Sequence, residues 1–407
     1  MRLKRYASVA LVAGLGLTAA ACGSSSTSSS PTTAAGSGAA VSTASTDTVT
    51  AINSLTGVGT SVTLNPSTAK ALTGLGLQLA PAGTATFDSS TSTVTFPITS
   101  GYVEIHSNKS YQPGYILGSI QHFGSGLTIS GGGKSVTLSD FVVDPGNSML
   151  YGTVGGKPDV PLLYLNGSNV KVSMSGSNVV LDGTVAELTN TAATALDQTF
   201  GTTAVKAGLP LGTVHLVASG TANTYTDKVT EISRLGGQST NVTLNPSTAN
   251  ALTGLGVKVA TYGSATLTGS TLSFPITGGF AAIHSDTAYK PGYIVGSIIH
   301  QGSGITLTAG SKSVTLSDFV VDPGDSILTG TVGGKPGIPL LTLDGTNVKV
   351  TPTANGVTLD GTVAKLTQTA ATALDQAFGT TALTAGIPLG TVHLVATAST
   401  VKGSINN

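Results

Sequence analysis

Cysteine occurs once in the 407 residues, tryptophan not at all, and charged side chains make up 9% of the chain where about 25% is usual. Each scarcity closes off a class of protein. A lone cysteine excludes an intrachain disulfide, a zinc site with several cysteine ligands and a thiol pair for redox work. The formal charge is balanced at 18 against 18, but Arg2, Lys4 and Arg5 lie at the extreme N-terminus with no acid beside them. From Cys22 onward the count is therefore 15 basic against 18 acidic residues, the reverse of the basic stripe that nucleic acid requires. After residue 21 no stretch of 18 apolar residues recurs, so no second segment has the length of a membrane-spanning helix.

What is there begins with an address. Residues 1–5 are short and basic, residues 6–21 are an apolar run ending in Ala19-Ala20-Ala21, and Cys22 follows at once. A basic start, an apolar run of 16 residues and a small-residue exit predict an export signal over residues 1–21. A cysteine directly behind it resembles a bacterial lipoprotein signal, which implies Cys22 as the acylated first residue of the mature chain. The expected location is then the outer face of the cytoplasmic membrane or the cell surface, with lipid as the membrane contact. Residues 22–45, rich in Ser, Thr, Ala and Gly and free of charge, cannot bury enough surface to order themselves and are predicted to be a tether.

The rest of the chain is one unit written twice. Residues 46–218 recur as 226–396, joined by a predicted linker at 219–225 and followed by a predicted flexible tail at 397–407. The motif VTLNPSTA at 62–69 returns at 242–249, an offset of 180, whereas all six histidines repeat at an offset of 178: His106, His122 and His215 match His284, His300 and His393. In the last block, 189–218 against 367–396, five of 30 positions differ. Each copy is long enough to bury its own core without staples.

Within a copy, nine short stretches rich in Val, Thr, Ile and Leu alternate apolar with polar residues and are punctuated by Gly, Asn-Gly, Asp-Gly and Asp-Pro-Gly turns. Two short helices interrupt them. Asn65-Pro66 supplies a cap and a first-turn proline before 67–73, and Thr189 or Asn190 caps 191–200 ahead of Gly201; both recur in the second copy. The fold class predicted is all-β: two tandem antiparallel β-sandwich domains, each with two short helices, with a closed barrel as the alternative.

Strand alternation sorts the histidines. His122 shares a face with Ile116 and Ile120, and His300 with Ile294 and Ile298, so both are expected inside. His106 and His284 fall on the more polar face of their strands. Tyr111 and Tyr115, matched by Tyr289 and Tyr293, flank a Pro-Gly turn just before the His122 and His300 strands. The histidines lie on different strands and faces with no ligand spacing of a zinc motif, so no metal site is read from them. Catalytic patterns fail as well. Gly324-Asp325-Ser326 follows a Val-Asp-Pro turn and reads Gly146-Asn147-Ser148 in the first copy, and Gly133-Lys134-Ser135 lacks the earlier glycine of a phosphate loop. No Ser-His-Asp set or paired acids announce an enzyme.

One resemblance emerges from the order of motifs: Thr95-Phe-Pro-Ile-Thr99, Gly118-Ser-Ile-Gln-His122-Phe-Gly-Ser-Gly, Val136-Thr-Leu-Ser-Asp-Phe-Val-Val-Asp-Pro145, Leu150-Tyr-Gly-Thr-Val154 and Ala207-Gly-Leu-Pro-Leu211. Each copy resembles the haem-transport-associated (HtaA-type) domain of actinobacterial surface proteins. The resemblance implies a β-sandwich at the cell envelope that in some members captures haem through a tyrosine supported by a histidine. His122 and His300 match the histidine position. The family's aromatic opening with its ligand tyrosine is missing, since 46–60 contains no aromatic residue, which leaves Tyr111 or Tyr115, and Tyr289 or Tyr293, as the tyrosines at hand. The expectation is a non-enzymatic, lipid-anchored display or binding module for an envelope protein or glycan, with haem capture as the alternative.

Overall fold

A computed structural model describes residues 41–43, 47–111, 114–175, 178–289, 292–400 and 402–407. The export signal, Cys22 and most of the tether lie outside the described residues. The all-β, two-domain expectation holds, with four short helices among the described residues, two in each repeat.

In the first repeat the strand pairing closes on itself. Val49–Leu64 pairs with Ser100–His106, and from there each strand pairs with the next through Ile116–Gly131, Lys134–Asp144, Met149–Val154 and Lys157–Asn166. Asn178–Leu188 follows, then Pro210–Tyr225, which returns to Val49–Leu64. Every pairing is antiparallel, so the hydrogen bonds trace the barrel alternative, and no long edge is left open on this ring. The second repeat follows the same path, except that its first strand breaks at Ser233-Arg234 into Val229–Ile232 and Leu235–Leu244.

Helices α1 (Pro66–Gly74) and α2 (Asn190–Phe200) of the first repeat pack against its wall. α1 is capped by Asn65, whose side chain accepts from the Ser67 and Thr68 amides, and it buries Thr68 and Leu72. α2 is capped by Thr189, ends at Gly201 in the left-handed region and buries Ala192, Ala193 and Leu196. Both join the cluster of Val94, Phe96, Phe141 and Leu162. Helices α3 (Pro246–Gly254) and α4 (Gln368–Phe378) repeat this arrangement around Leu272, Phe274, Phe319 and Leu340.

Three segments depart from their sequence reading, each because an unsatisfied backbone takes a partner. The expected linker is strand: Thr221–Tyr225 continues Pro210–Tyr225 and pairs with Val49–Asn53. The second repeat has no such extension, and Val41–Thr43, expected within the tether, pairs with Val229–Ile232 instead. The tail does not fray. The Asn190 and Thr191 amides at the start of α2 donate to the Ile405 and Asn407 carbonyls, 2.8 Å each, and the Gly403 amide donates to Asn147 Oδ1 at 2.6 Å. The first amides of a helix have no partner within it, and the end of the chain supplies one.

The repeats share a core. Tyr102 and Phe280, at matched positions, stack with centroids 5.7 Å apart, beside Tyr111, Leu117, Tyr225 and Val295. Within each repeat the strand behind these rings comes close, because Gly118 and Gly296 sit at φ +128° and +127°, where a Cβ would come within 2.1 and 2.2 Å of the Tyr102 and Phe280 carbonyl oxygens. Arg234, at the break in the second repeat's first strand, reaches into the first repeat. It meets Asp159 at 2.8 Å and Asp144 at 3.5 Å and lies 3.7 Å above the Tyr151 ring.

Candidate functional site

The strand Ile116–Gly131 is buried along its first half, and His122 is 1% exposed on its inner face. Its Nδ1 lies 3.1 Å from the Pro97 carbonyl oxygen and its Nε2 lies 3.1 Å from Thr60 Oγ1. A carbonyl can only accept, so Nδ1 carries the proton and the threonine hydroxyl donates to Nε2. His300 repeats the pattern, with Nδ1 3.3 Å from the Phe319 carbonyl oxygen and Nε2 2.7 Å from Thr240 Oγ1. Burial drives both imidazoles down to about 4, so both are neutral near pH 7.

His122 and Thr60 are polar points on the wall of a cavity of about 480 Å³ inside the first repeat. Leu, Val and Phe side chains from opposite walls and from both helices line it. Tyr115, Asn166, Gly167 and Ser168 also border it, and Gly167 and Ser168 are exposed, so the cavity reaches the surface at that end. The second repeat encloses about 150 Å³ at the matched place. Three pairs of side chains contribute to the contrast: Val94, Val160 and Val205 line the larger cavity where the second copy has Leu272, Ile338 and Leu383, each one methylene longer. Leu79 against Val259 runs the other way.

The structure separates the residues singled out in the sequence. Tyr115 and His122 border one cavity. Tyr111 does not: it leaves the first repeat's interior for the core between the repeats, where its ring stacks on His106 at 3.7 Å and its hydroxyl donates to Glu231. Tyr289 stacks on His284 at 3.6 Å in the same way. Tyr293 packs with Ile294, Ile298 and Val321 and does not border the cavity that His300 lines.

The core between the repeats is also polar in a way that single-strand alternation did not reveal. Glu104 and Glu231 are fully buried, and His106 and His284 are 2% and 3% exposed. Tyr102 donates to Glu104 Oε1 at 2.6 Å. Burial, reinforced by the charge of Glu231, lifts the Glu104 carboxyl to about 8. Burial opposes charge on His106, but the bond to Glu231 and the charges of Glu231 and Glu104 outweigh it and raise this histidine; at His284 burial wins and lowers it. A clue was present in the sequence, because Glu104 and Glu231 each interrupt an apolar strand. The packing that makes the two carboxylates neighbours was not.

No family model and no curated protein matches the sequence. Among solved structures the chain is similar to the crystal structure of the C-terminal domain of HtaA from Corynebacterium glutamicum. That likeness has 15% identity and a TM-score of 0.30, and it covers 40% of this chain and 98% of that one.

Proposed function

We propose that the protein is a non-enzymatic binding module of the cell envelope, held by a lipid on Cys22, and that its first repeat receives an apolar ligand inside the barrel. The observation that carries this reading is the unequal interior of two repeats built on one framework. The first keeps about 480 Å³ where the second encloses about 150 Å³. The larger volume falls within the range of small-molecule sites, whose walls are mostly apolar with a few polar groups that fix orientation. Thr60 and His122 are such groups, and the opening beside Tyr115 and Ser168 provides an entry.

Haem or a related porphyrin is the second ligand class, favoured by the presence of Tyr115 and His122 on one cavity. His122 is neutral, and its Nε2 is held by a threonine hydroxyl alone. The full chain would be titrated with an apolar fluorescent dye, and separately with haem followed in the Soret region. A saturable one-to-one signal, weakened in His122→Ala and retained in His300→Ala, is expected. Flat titrations with both probes would reject the reading, and a dye response without a Soret response would reject the porphyrin.

A further inference from the structure

The two repeats bring matched machinery to their shared core. Asp47 faces His106 Nδ1 at 3.2 Å in the first repeat, and Asp227 faces His284 Nδ1 at 3.0 Å in the second. A carboxylate at Nδ1 fixes the proton there and turns the Nε2 lone pair the other way, the arrangement that commonly orients a metal-bound histidine. In the first repeat the Nε2 edge points at two carboxylates. His106 Nε2 lies 3.2 Å from Glu231 Oε1 and 3.9 Å from Glu104 Oε2, and all three atoms lie within 4.8 Å of one another.

Two carboxylates and an imidazole brought together in a dry core need positive charge among them, which a proton between His106 Nε2 and Glu231 supplies when no ion is bound and a cation would supply in its place. Tyr102 satisfies Glu104 Oε1, but Glu104 Oε2 is buried with no hydrogen-bond partner, and so is His284 Nε2. The spacing fits an ion: two ligand atoms each about 2.1 Å from a tetrahedral metal stand about 3.4 Å apart, and the two distances here, 3.2 and 3.9 Å, bracket that value.

We propose that Glu104, His106 and Glu231 hold one divalent transition-metal ion, zinc by the chemistry of one imidazole with two carboxylates. Glu104 and His106 come from the first repeat and Glu231 from the second, so the ion cross-links the repeats. Its role is structural, because the site is closed to solvent, and it is independent of the ligand cavity.

The test uses the full chain, stripped with a chelator and titrated calorimetrically with Zn²⁺, with bound metal counted by elemental mass spectrometry. The expected result is one ion per chain and a rise in Tm on loading. Glu104→Gln, which keeps the shape of the side chain, is expected to weaken binding at least about 100-fold, the upper range for loss of a supporting group. A double variant, His215→Ala with His393→Ala, removes the two exposed histidine–aspartate pairs and should leave binding unchanged. No stoichiometric uptake, uptake indifferent to Glu104→Gln, or uptake lost in the double variant would each overturn the proposal. Should Glu104→Gln fail to fold, Co²⁺ loaded into the unaltered chain decides. Intense visible bands of a four- or five-coordinate ion support the site, and the pale spectrum of an octahedral surface ion overturns it.

Discussion

Filling the larger cavity should make the protein more stable and less able to bind. Val94→Leu, Val160→Ile and Val205→Leu place in the first repeat the side chains that the second repeat carries at those positions, where the same framework already accommodates them. Each substitution adds one methylene, and a buried methylene contributes about 0.8 kcal/mol, so the triple variant gains about 2 kcal/mol if the space is open. Overpacking opposes such gains in a filled core, but here about 480 Å³ is available. For a protein of this size the gain corresponds to a Tm rise of ~2–3 °C. The assay is thermal unfolding of wild type and triple variant without ligand, followed by dye titration of both. The expected outcome is a higher Tm with probe affinity reduced at least about tenfold, equivalent to 1.4 kcal/mol. A lower Tm would mean that these positions are already closely packed, and unchanged affinity at a higher Tm would place the ligand elsewhere. Either result refutes the argument from unequal interiors.

Two further outcomes follow from buried charge. His122 and His300 titrate near 4 in the folded protein against 6.5 in the unfolded chain. The unfolded chain therefore binds more protons between these values, and stability falls as pH drops from 6.5 to about 4, by up to about 3 kcal/mol for each histidine. Asp144 and Asp322, lifted by burial to about 6 and about 7, act in the opposite direction. The readout is thus the difference between wild type and a His122→Gln, His300→Gln variant in urea melts at pH 7.5 and 4.5; an identical pH dependence in both would refute the assignment. Arg234→Met strips the counter-charge from Asp144, which is 3% exposed, and should cost about 3–5 kcal/mol in denaturant unfolding. A cost below 1 kcal/mol would show that Asp144 is neutralised by a proton and that the ion pair contributes little.

The sequence by itself determined the duplication, the all-β class, the four helices and the inward direction of His122 and His300. These depend on local chemistry: alternation along a strand, Asn and Thr caps, and glycine after the last helical turn act over a few residues. Even Tyr111 and Tyr115, four residues apart, form one group in the sequence because both precede the His122 strand; the chain sends the first to the shared core and the second to the cavity. Tertiary structure alone decided which residues became neighbours across large separations. Glu104 meets Glu231, Arg234 meets Asp144 and Asp159, and the final residues meet the start of α2. It also decided the volume left inside each repeat, since the space beside Val94, Val160 and Val205 is enclosed only when opposite walls and two helices converge on it. Pairing partners and enclosed space are properties of the assembled chain, and no periodicity along a single strand encodes them.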